Sequence, residues 1–425
     1  MSSVRSMCAR TAGLLALICV TAGAQAELSY QRIVGVGDEF PGGGTYYSMS
    51  SRFGIENDTL YFFGRPSSSA RYSLITQPVD GDPTVLADNS MTIPGGTGTF
   101  YNMTSFAPSV SNGYVAFHNK TSGNSEHGLY MCDPSGNLSV IVDRNTPMPD
   151  FESNFGSFSG PVLVDGDVYF RATSLTSGQD GYYHASNGQF TAIANNSTII
   201  PTTGTLLSTK SDCNCDGTRF CFEGGDEFEY TGIFSTIDDG QTLEVHADTL
   251  TSMPNYTAWT FDAMSDPCTD NGIVVWRAQS AKDGEHDDFR MQGIYADLGD
   301  ELVSLVDLYT PNPGGGNFRK IDALKAYEDG YVLFTGEHDR TDTGDEDGVY
   351  YVAPDGSVHL VIEEAQTVDG KVIEDLLNAS LSGQTAVVSV GFEDGSKAVY
   401  AVTIPEPTSL LLLATGAAVA ALRRR

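Results

Sequence analysis

The sequence is poor in basic residues. Its 425 residues include 23 lysines and arginines against 55 aspartates and glutamates, which gives a formal net charge of −32. A field of this sign disfavours nucleic acid and anionic membrane surfaces as partners. Divalent-cation binding or solubility in salt fits the charge better, and an ordinary solvated acidic surface is the simplest interpretation.

The sequence motifs of several enzyme classes are also missing. There is no Gly-x-Ser-x-Gly elbow, phosphate-binding loop or dinucleotide fingerprint. The histidines are expected mostly in loops, and none has the His-x-x-x-His or His-Glu-x-x-His spacing of a zinc hydrolase. They are His118, His127, His184, His246, His286, His338 and His359.

Cysteine is scarce, with seven in the chain. Two of them, Cys8 and Cys19, belong to the N-terminal segment discussed next. An odd number then remains, so at least one thiol stays free or pairs between chains, and the disulfide connectivity stays open. The remaining five are Cys132, Cys213, Cys215, Cys221 and Cys268.

The N-terminal segment has the three parts of a secretory signal. Arg5 and Arg10 precede an apolar stretch over 12–20, and Ala24-Gln25-Ala26 forms a small-x-small cleavage pattern. We therefore predict a removable signal peptide at residues 1–26. An exported protein can form disulfides.

The C-terminal segment contains a short apolar run, which follows two prolines and precedes three arginines at the end of the chain. Residues 410–422 give 13 apolar or small residues, fewer than the roughly 20 that cross a bilayer comfortably. The arginines would stay on the cytoplasmic side, and the prolines keep Glu406 in an extended, accessible peptide. The residues of interest are Pro405, Glu406, Pro407, Arg423, Arg424 and Arg425.

This order resembles the PEP-CTERM sorting signal of Gram-negative bacteria. The resemblance covers about the last 22 residues and implies recognition by an exosortase-type membrane protease. It also implies a transient inner-membrane stage through a short C-terminal hydrophobic helix, then transfer to the outer cell surface or the extracellular matrix. An ordinary short tail anchor is the alternative. Removal of both ends leaves 18 basic and 54 acidic residues, a net charge of −36.

An internal repeat runs between these two ends. Its first marker is a tight turn followed by an alternating strand that ends in a large apolar residue. The strand ends recur at spacings of 52 to 58 residues. They are Phe62, Phe117, Phe170, Phe222, Trp276, Phe334 and Val388.

Two further markers follow the first one. The second is a short aromatic strand, at Tyr72, Tyr130, Tyr183, Phe234, Tyr295, Tyr350 and Tyr400. The third is an apolar strand closing on an acid or amide, with proline six residues later: Asp88, Asp143, Asn195, Asp248 and Asp307, while Glu363 lacks the proline.

The last repeat lacks the third strand, and a strand of that character, Ile33-Val-Gly-Val-Gly-Asp38, stands alone at the N-terminus. Residues 27–404 number 378, which is seven times 54. We therefore predict an all-β fold, a seven-bladed β-propeller of three or four strands per blade, closed by its N- and C-terminal strands. It also looks like tandem-repeat proteins with Gly-x-x-x-Phe strands. A solenoid or two β-sandwiches are the alternatives.

The predicted organisation is therefore a signal peptide at 1–26, a propeller at 27–403 and a sorting tail at 404–425. Within the propeller, Asp212, Asn214 and Asp216, followed by Gly217 and Glu223, match the pattern of an EF-hand calcium loop. Calcium is the candidate cofactor, although the same residues also fit an ordinary hairpin turn. Asp342, Asp345 and Asp347 form a looser acidic loop.

Two functions remain open at this point. The first is a non-catalytic surface propeller that binds polysaccharide or a surface protein. The second is an extracellular polysaccharide hydrolase or lyase whose acids converge at the propeller channel. The side chains at the channel would distinguish the two.

Overall fold

The structure is a computed structural model that describes residues 28–405, except 122–126, 150, 177, 239, 241, 281–290 and 341–343. The described residues form strands and turns without a helix. Within this part of the chain, accordingly, nothing is long, helical and apolar enough to cross a membrane. The predicted signal peptide and the apolar part of the tail lie outside the described residues.

Seven four- or five-stranded antiparallel sheets form the blades. Blade 1 consists of β2 (Ser48–Glu56), β3 (Thr59–Arg65), β4 (Ser73–Pro78) and β5 (Thr84–Ala87). Blade 2 consists of β6 (Ser109–Ser111), β7 (Tyr114–Lys120), β8 (His127–Cys132) and β9 (Leu138–Asp143). Blade 3 consists of β10 (Phe155–Phe158), β11 (Val162–Val164), β12 (Asp167–Ser174), β13 (Asp180–Ser186) and β14 (Gln189–Asn195). Blade 4 consists of β15 (Ser208–Cys215), β16 (Phe220–Gly225), β17 (Thr231–Thr236) and β18 (Glu244–Asp248).

A two-stranded hairpin, β19 (Ser252–Met253) and β20 (Tyr256–Thr260), precedes blade 5. Blade 5 consists of β21 (Ala263–Asp270), β22 (Ile273–Ser280), β23 (Met291–Asp297) and β24 (Leu302–Asp307). Blade 6 consists of β25 (Phe318–Glu328), β26 (Tyr331–Arg340), β27 (Gly344–Val352) and β28 (Val358–Glu363). Blade 7 is β29 (Thr367–Val368), β30 (Lys371–Ser382), β31 (Thr385–Phe392), β32 (Lys397–Thr403) and β1 (Tyr30–Gly35).

The inner strands of the seven blades form a closed ring. Each contacts the inner strand of the next blade, in the order β2, β6, β11, β15, β21, β25, β30 and back to β2. The chain ends meet in blade 7, where β1 pairs with β32 and places Val34 opposite Val399. The seven-bladed propeller and its closure by the terminal strands are thus confirmed, and closure leaves β32 without an open edge.

One cross-strand pair recurs at the centre of every blade. The first sequence marker lies on the second strand of the blade and the second marker opposite it on the third strand. The pairs are Phe62↔Ile75, Phe117↔Tyr130, Phe170↔Tyr183, Phe222↔Phe234, Trp276↔Tyr295, Phe334↔Tyr350 and Val388↔Tyr400. Every member is at most 1% exposed, so these side chains are core rather than a binding surface.

Blade 1 departs from the predicted marker. Tyr72 lies one residue before β4, and Ile75 occupies the aromatic position instead. The prediction of Tyr72 was wrong because alternation continues through Leu74 and Ile75, and the buried pair follows the register rather than the nearest aromatic. Tyr72 instead shares a hydrogen bond with Ser48 and lies under Arg65.

The third marker ends the fourth strand of a blade with a side-chain-capped turn. In Asp143, for example, Oδ1 accepts hydrogen bonds from the backbone of Asn145 and the hydroxyl of Thr146. Equivalent turns at Asp248 and Asp307 lead the chain to the inner strand of the next blade. Such turns satisfy the backbone where the ladder ends.

Two faces follow from this topology, because consecutive connections of an antiparallel blade alternate between its two ends. The crossover face carries the connections between blades and the loops between second and third strands. The turn face carries the other two hairpin turns of each blade.

Candidate functional site

The central channel is a cavity of about 430 Å³. Its walls come from the inner strands of blades 2 to 6 and the residues just before them. The lining residues are Phe106, Ala107, Ser159, Gly160, Pro161, Val162, Cys213, Asn214, Asp266, Pro267, Cys268 and Leu324. Asp266 is the one charged residue among these described lining residues.

A bulge in the inner strand places Asp266 at the channel. The β21 register shifts between Ser265 and Cys268, and Asp266 adopts a positive φ of 52° there. Similar register shifts interrupt β2 and β15 on their inner strands. Bulges commonly re-aim a side chain next to a functional site.

Several cysteines lie near this wall. Cys213 and Cys268 line the cavity, while Cys215 and Cys221 are buried. Burial raises the pKa of the Cys221 thiol, and the neighbouring Cys268, Cys213 and Cys215 raise it further. No disulfide joins the five cysteines that follow the predicted signal peptide, all of which fall in the described part of the chain.

The predicted calcium ligands are spread along a hairpin rather than gathered in a loop. Asn214 lies on β15 opposite Cys221, Glu223 lies on β16 opposite Ile233, and Asp216 lies in the turn between the strands. The side chain of Asp212 lies outside the described residues. An EF-hand loop instead wraps its ligands around one ion.

Asp216 already has a structural role. Its Oδ1 accepts hydrogen bonds from Thr218 and from the Arg219 backbone, and its Oδ2 accepts one from the Gly272 backbone of blade 5 at 3.1 Å. Thr269 donates to Oδ2 as well. Burial alone would raise the pKa of Asp216, but these hydrogen bonds outweigh burial and hold it below its ordinary value.

Other acids on the turn face act in the same way. The Glu56 carboxylate accepts hydrogen bonds from the Asn112 and Gly113 backbone, and Asp270 accepts one from the Asp329 backbone at 2.8 Å. Glu328 binds the Gly383 backbone. We call these inter-blade contacts of Glu56, Asp216, Asp270 and Glu328 the acceptor belt.

One residue of the looser acidic loop, Asp347, belongs to an acidic cluster in blade 6. Asp342 and the side chain of Asp345 lie outside the described residues, whereas Asp347 meets Asp322 and Glu337, with ligand atoms within 4.8 Å of one another. Lys320 Nζ binds Asp322 at 2.6 Å and Glu337 at 2.7 Å. A lysine therefore already supplies a positive charge to this group.

The expectation that most histidines lie in loops was wrong. Six of the seven lie on strands, namely His118 on β7, His127 on β8, His184 on β13, His246 on β18, His338 on β26 and His359 on β28, and His286 lies outside the described residues. The blade strands reach further than their apolar cores, so polar residues near the ends of alternating runs still belong to the sheet.

Sequence reasoning missed the pairing of His118 and His127. Their Nε2 atoms are 2.5 Å apart, and the two side chains are buried between the rings of Phe106 and Phe158. Burial lowers the pKa of His118 to about 3 and that of His127 to about 4, and positive neighbours add to the effect. The spacing of the two histidines in the sequence did not predict this contact, because the contact depends on the register of β7 and β8.

The fold has relatives of known structure. The chain is similar to a prolyl endopeptidase (TM-score 0.53, 10% identity, covering 85% of this chain and 48% of that one). It is also similar to the β-propeller domain of the trilobed protease from Pyrococcus furiosus (TM-score 0.52, 10% identity, 84% and 95%). A likeness to an ulvan lyase, a polysaccharide lyase, has a TM-score of 0.45 at 11% identity, covering 91% and 99%.

The chain spans about half the length of a puromycin hydrolase that it also resembles, 50% of that chain. At such low identities the likenesses show the fold alone, since one fold supports many functions. No curated protein matches the chain significantly.

Two family models match parts of the sequence. A family of unknown function, DUF7453, matches residues 16–182, which reach into β13. The second match covers the tail predicted at 404–425 and marks an exported protein sorted at its C-terminus and held transiently at the membrane. Residues 403–425 of this chain are a PEP-CTERM protein-sorting motif, which the exosortase processing system recognises.

Proposed function

We propose that this chain is an exported protein displayed at the outer cell surface or in the extracellular matrix, where its propeller binds a ligand without transforming it. The sorting motif supports the export route. The chemistry of the channel supports the binding role.

The character of the channel wall is the observation that carries this proposal. Glycoside hydrolysis requires two carboxyl groups on opposite sides of the scissile bond, about 5 to 9.5 Å apart. The described lining offers Asp266 among apolar, thiol and small polar groups. A wall of this kind favours contact over the paired acid and base chemistry of glycoside hydrolysis, so the described channel lining offers no observation in favour of a hydrolase.

The experiment uses the exported chain, purified after processing, because the propeller is closed by β1 and β32 before the tail begins. We expect retention on one of a panel of immobilised polysaccharides or on a surface protein from its own cells, with no new reducing or unsaturated ends released. Release of such ends in proportion to protein concentration would contradict the proposal. Failure to bind any polysaccharide or surface protein would contradict it equally.

Calcium binding by Asp212, Asn214, Asp216 and Glu223 stays a separate proposal. Its support is the alternating spacing of oxygen ligands in the sequence. The exosortase-type protease remains the proposed partner of Pro405, Glu406, Pro407 and the terminal arginines, and its action would free the propeller from the membrane.

A further inference from the structure

One position is exposed in five of the crossover turns. The residue two places after the capping acid or amide donates its backbone N–H to that side chain, and its own side chain points outward. These residues are Ser90, Asn145, Ser197, Leu250 and Tyr309. The first three are polar, as an exposed turn position favours.

Blades 4 and 5 break this rule with large apolar side chains. Leu250 is 66% exposed and Tyr309 is 60% exposed. The turn fixes their exposure, so burial in the core does not explain why they are apolar. A single exposed apolar side chain needs no explanation, whereas a contiguous group of exposed rings indicates a contact with something outside the chain.

The crossover between blades 4 and 5 is also unusual. In several other crossovers the corresponding segment contains glycines, as in 42–44 and 314–316. Here the β19–β20 hairpin carries Tyr256 and Trp259 instead. The chain has two tryptophans, and the other one, Trp276, is fully buried in blade 5.

These rings form a continuous strip. The ring centroids of Tyr256 and Trp259 are 5.5 Å apart with an interplanar angle of 19°, and those of Tyr256 and Tyr309 are 5.8 Å apart at 32°. Tyr256 and Trp259 are half-buried and rest on the core of blade 5. We call Trp259, Tyr256 and Tyr309 the aromatic strip; it bridges two neighbouring crossovers.

We propose that the aromatic strip is a binding site for a neutral polysaccharide. The inference rests on the proposed binding function and deepens it by naming the site and the ligand class. The apolar C–H faces of pyranose rings stack on aromatic rings, and the ring of Tyr309, which is 60% exposed, is open to such a contact. Tyrosine and tryptophan also keep a polar group for hydrogen bonding.

Charge selects among polysaccharides. The chain carries a net charge of −32, and Asp307 lies beside the strip, with one carboxylate oxygen 3.5 Å from the Tyr256 hydroxyl. Such surroundings repel polyanions. They suit neutral sugars, which carry no charge for this field to repel.

Size favours a sugar chain over a folded protein. Three aromatic side chains bury roughly 600 Å² even when fully covered, whereas a specific protein interface needs about 800 Å² on each partner. The rings of the strip are already partly covered by blade 5, so the available area is smaller still.

The test compares single substitutions in the strip with a matched control on the same face. Trp259→Ala and Tyr309→Ala are each expected to weaken binding to a soluble neutral β-glucan or galactomannan about tenfold, measured by calorimetry or affinity electrophoresis. Tyr47→Ala removes a side chain that is 54% exposed in the crossover into blade 1 and is expected to leave binding unchanged. Alginate serves as the anionic probe.

Tryptophan fluorescence gives a second readout. Because Trp276 is fully buried, the change in emission on adding the polysaccharide should come from Trp259. Trp259→Phe keeps a ring in the strip, so it should retain most of the binding while losing that emission change. Thermal melting of each variant identifies any loss of folding.

The outcomes separate the strip from the proposed function. Binding by the folded Trp259→Ala and Tyr309→Ala variants at the wild-type level would overturn the strip and leave the binding function standing. No ligand of any kind for the wild-type chain would overturn both. Preferential binding of alginate would contradict the proposal that the ligand is a neutral polysaccharide. Self-association of the chain that the strip variants abolish would show instead that the aromatic strip binds a second copy of the chain.

Discussion

Single carboxylates of the acceptor belt connect neighbouring blades through main-chain hydrogen bonds. Asp216 illustrates the arrangement, because its two oxygens bind the turn of blade 4 and the turn of blade 5 at once. A carboxylate serves this purpose well, since it accepts several hydrogen bonds and donates none. The role is structural and requires no metal ion.

Replacing Asp216 with Asn should therefore destabilise the propeller. The amide keeps one acceptor oxygen but turns its NH₂ group toward backbone donors, which should lower the free energy of unfolding by about 1 to 3 kcal/mol. Urea unfolding in calcium and in EGTA measures the loss, which should be the same in both. Asp355→Asn is the control, because Asp355 caps a local turn through Ser357. A loss seen only with calcium would support the calcium site instead.

The buried pair His118 and His127 makes stability depend on pH. Both groups have a pKa lowered by burial, to about 3 and about 4, whereas histidine in the unfolded chain has a pKa near 6.5. The folded state therefore excludes protons that the unfolded state binds. The stabilising contribution is complete above pH 6.5 and is lost as pH falls toward 4.

We expect the slope of unfolding free energy against pH to show this pair directly. Between pH 6 and 4.5 each histidine contributes up to about 1.4 kcal/mol per pH unit. A double variant with His118→Leu and His127→Leu should have a shallower slope, whatever its stability at neutral pH. Denaturant titrations at several pH values test this, and equal slopes for variant and wild type would refute the assignment.

Only part of the residue-level chemistry could be predicted from the sequence. The spacing of Asp212, Asn214 and Asp216 is a local pattern, but it does not show that the carboxylate of Asp216 is used by blade 5. The contact between His118 and His127 depends on a cross-strand register, which residue types alone do not fix.

Among structural elements, the crossover turn is the most regular part of the repeat. An acid or amide ends the fourth strand of a blade and caps the turn that follows, as at Asp143 and Asn195. Because Asn195 fills the position in blade 3, the shared requirement is an acceptor oxygen rather than a charge.

Asp143→Ala should accordingly be more harmful than Asp143→Asn. Alanine leaves the Asn145 N–H and the Thr146 hydroxyl without their acceptor, which should cost about 1 to 2 kcal/mol. Asparagine keeps the oxygen and should cost clearly less. Thermal or urea unfolding of the two variants provides the comparison, and equal losses would show that charge is the important property.

The strands themselves were largely predictable because each blade repeats the same turn, alternation and aromatic pair. Blade 1 shows the limit of this approach. Ile75, which has no aromatic ring, packs opposite Phe62. The aromatic marker of the repeat therefore pointed to Tyr72, which lies before the strand. A buried position requires a large apolar side chain, and isoleucine meets this requirement.

For the whole molecule, closure could be predicted because one strand was missing at the C-terminal end and one was unpaired at the N-terminal end. The pairing of β1 with β32 follows from that count and from the hazard of an open edge. The channel was not predictable in the same way, since five blades contribute to its wall and the bulges decide which side chains face it.

The closed propeller also limits where the sorting tail can be processed. Ile404 follows β32 directly, is 1% exposed, and donates its backbone N–H to the Gln384 carbonyl at 2.7 Å. Pro405 is exposed. Cleavage before Ile404 would remove an anchored residue from the core of blade 7, whereas cleavage after Pro405 leaves every described contact of the blade intact.

We therefore predict that the mature protein ends at or after Pro405. Mass spectrometry of the C-terminal peptide from the exported protein measures this position. Replacing Pro405, Glu406 and Pro407 with alanine should leave the unprocessed tail on the protein and retain it in the membrane fraction, while its melting temperature stays close to that of the wild type. A mature C-terminus inside β32, or normal release of the substituted protein, would contradict this division between the fold and its sorting signal.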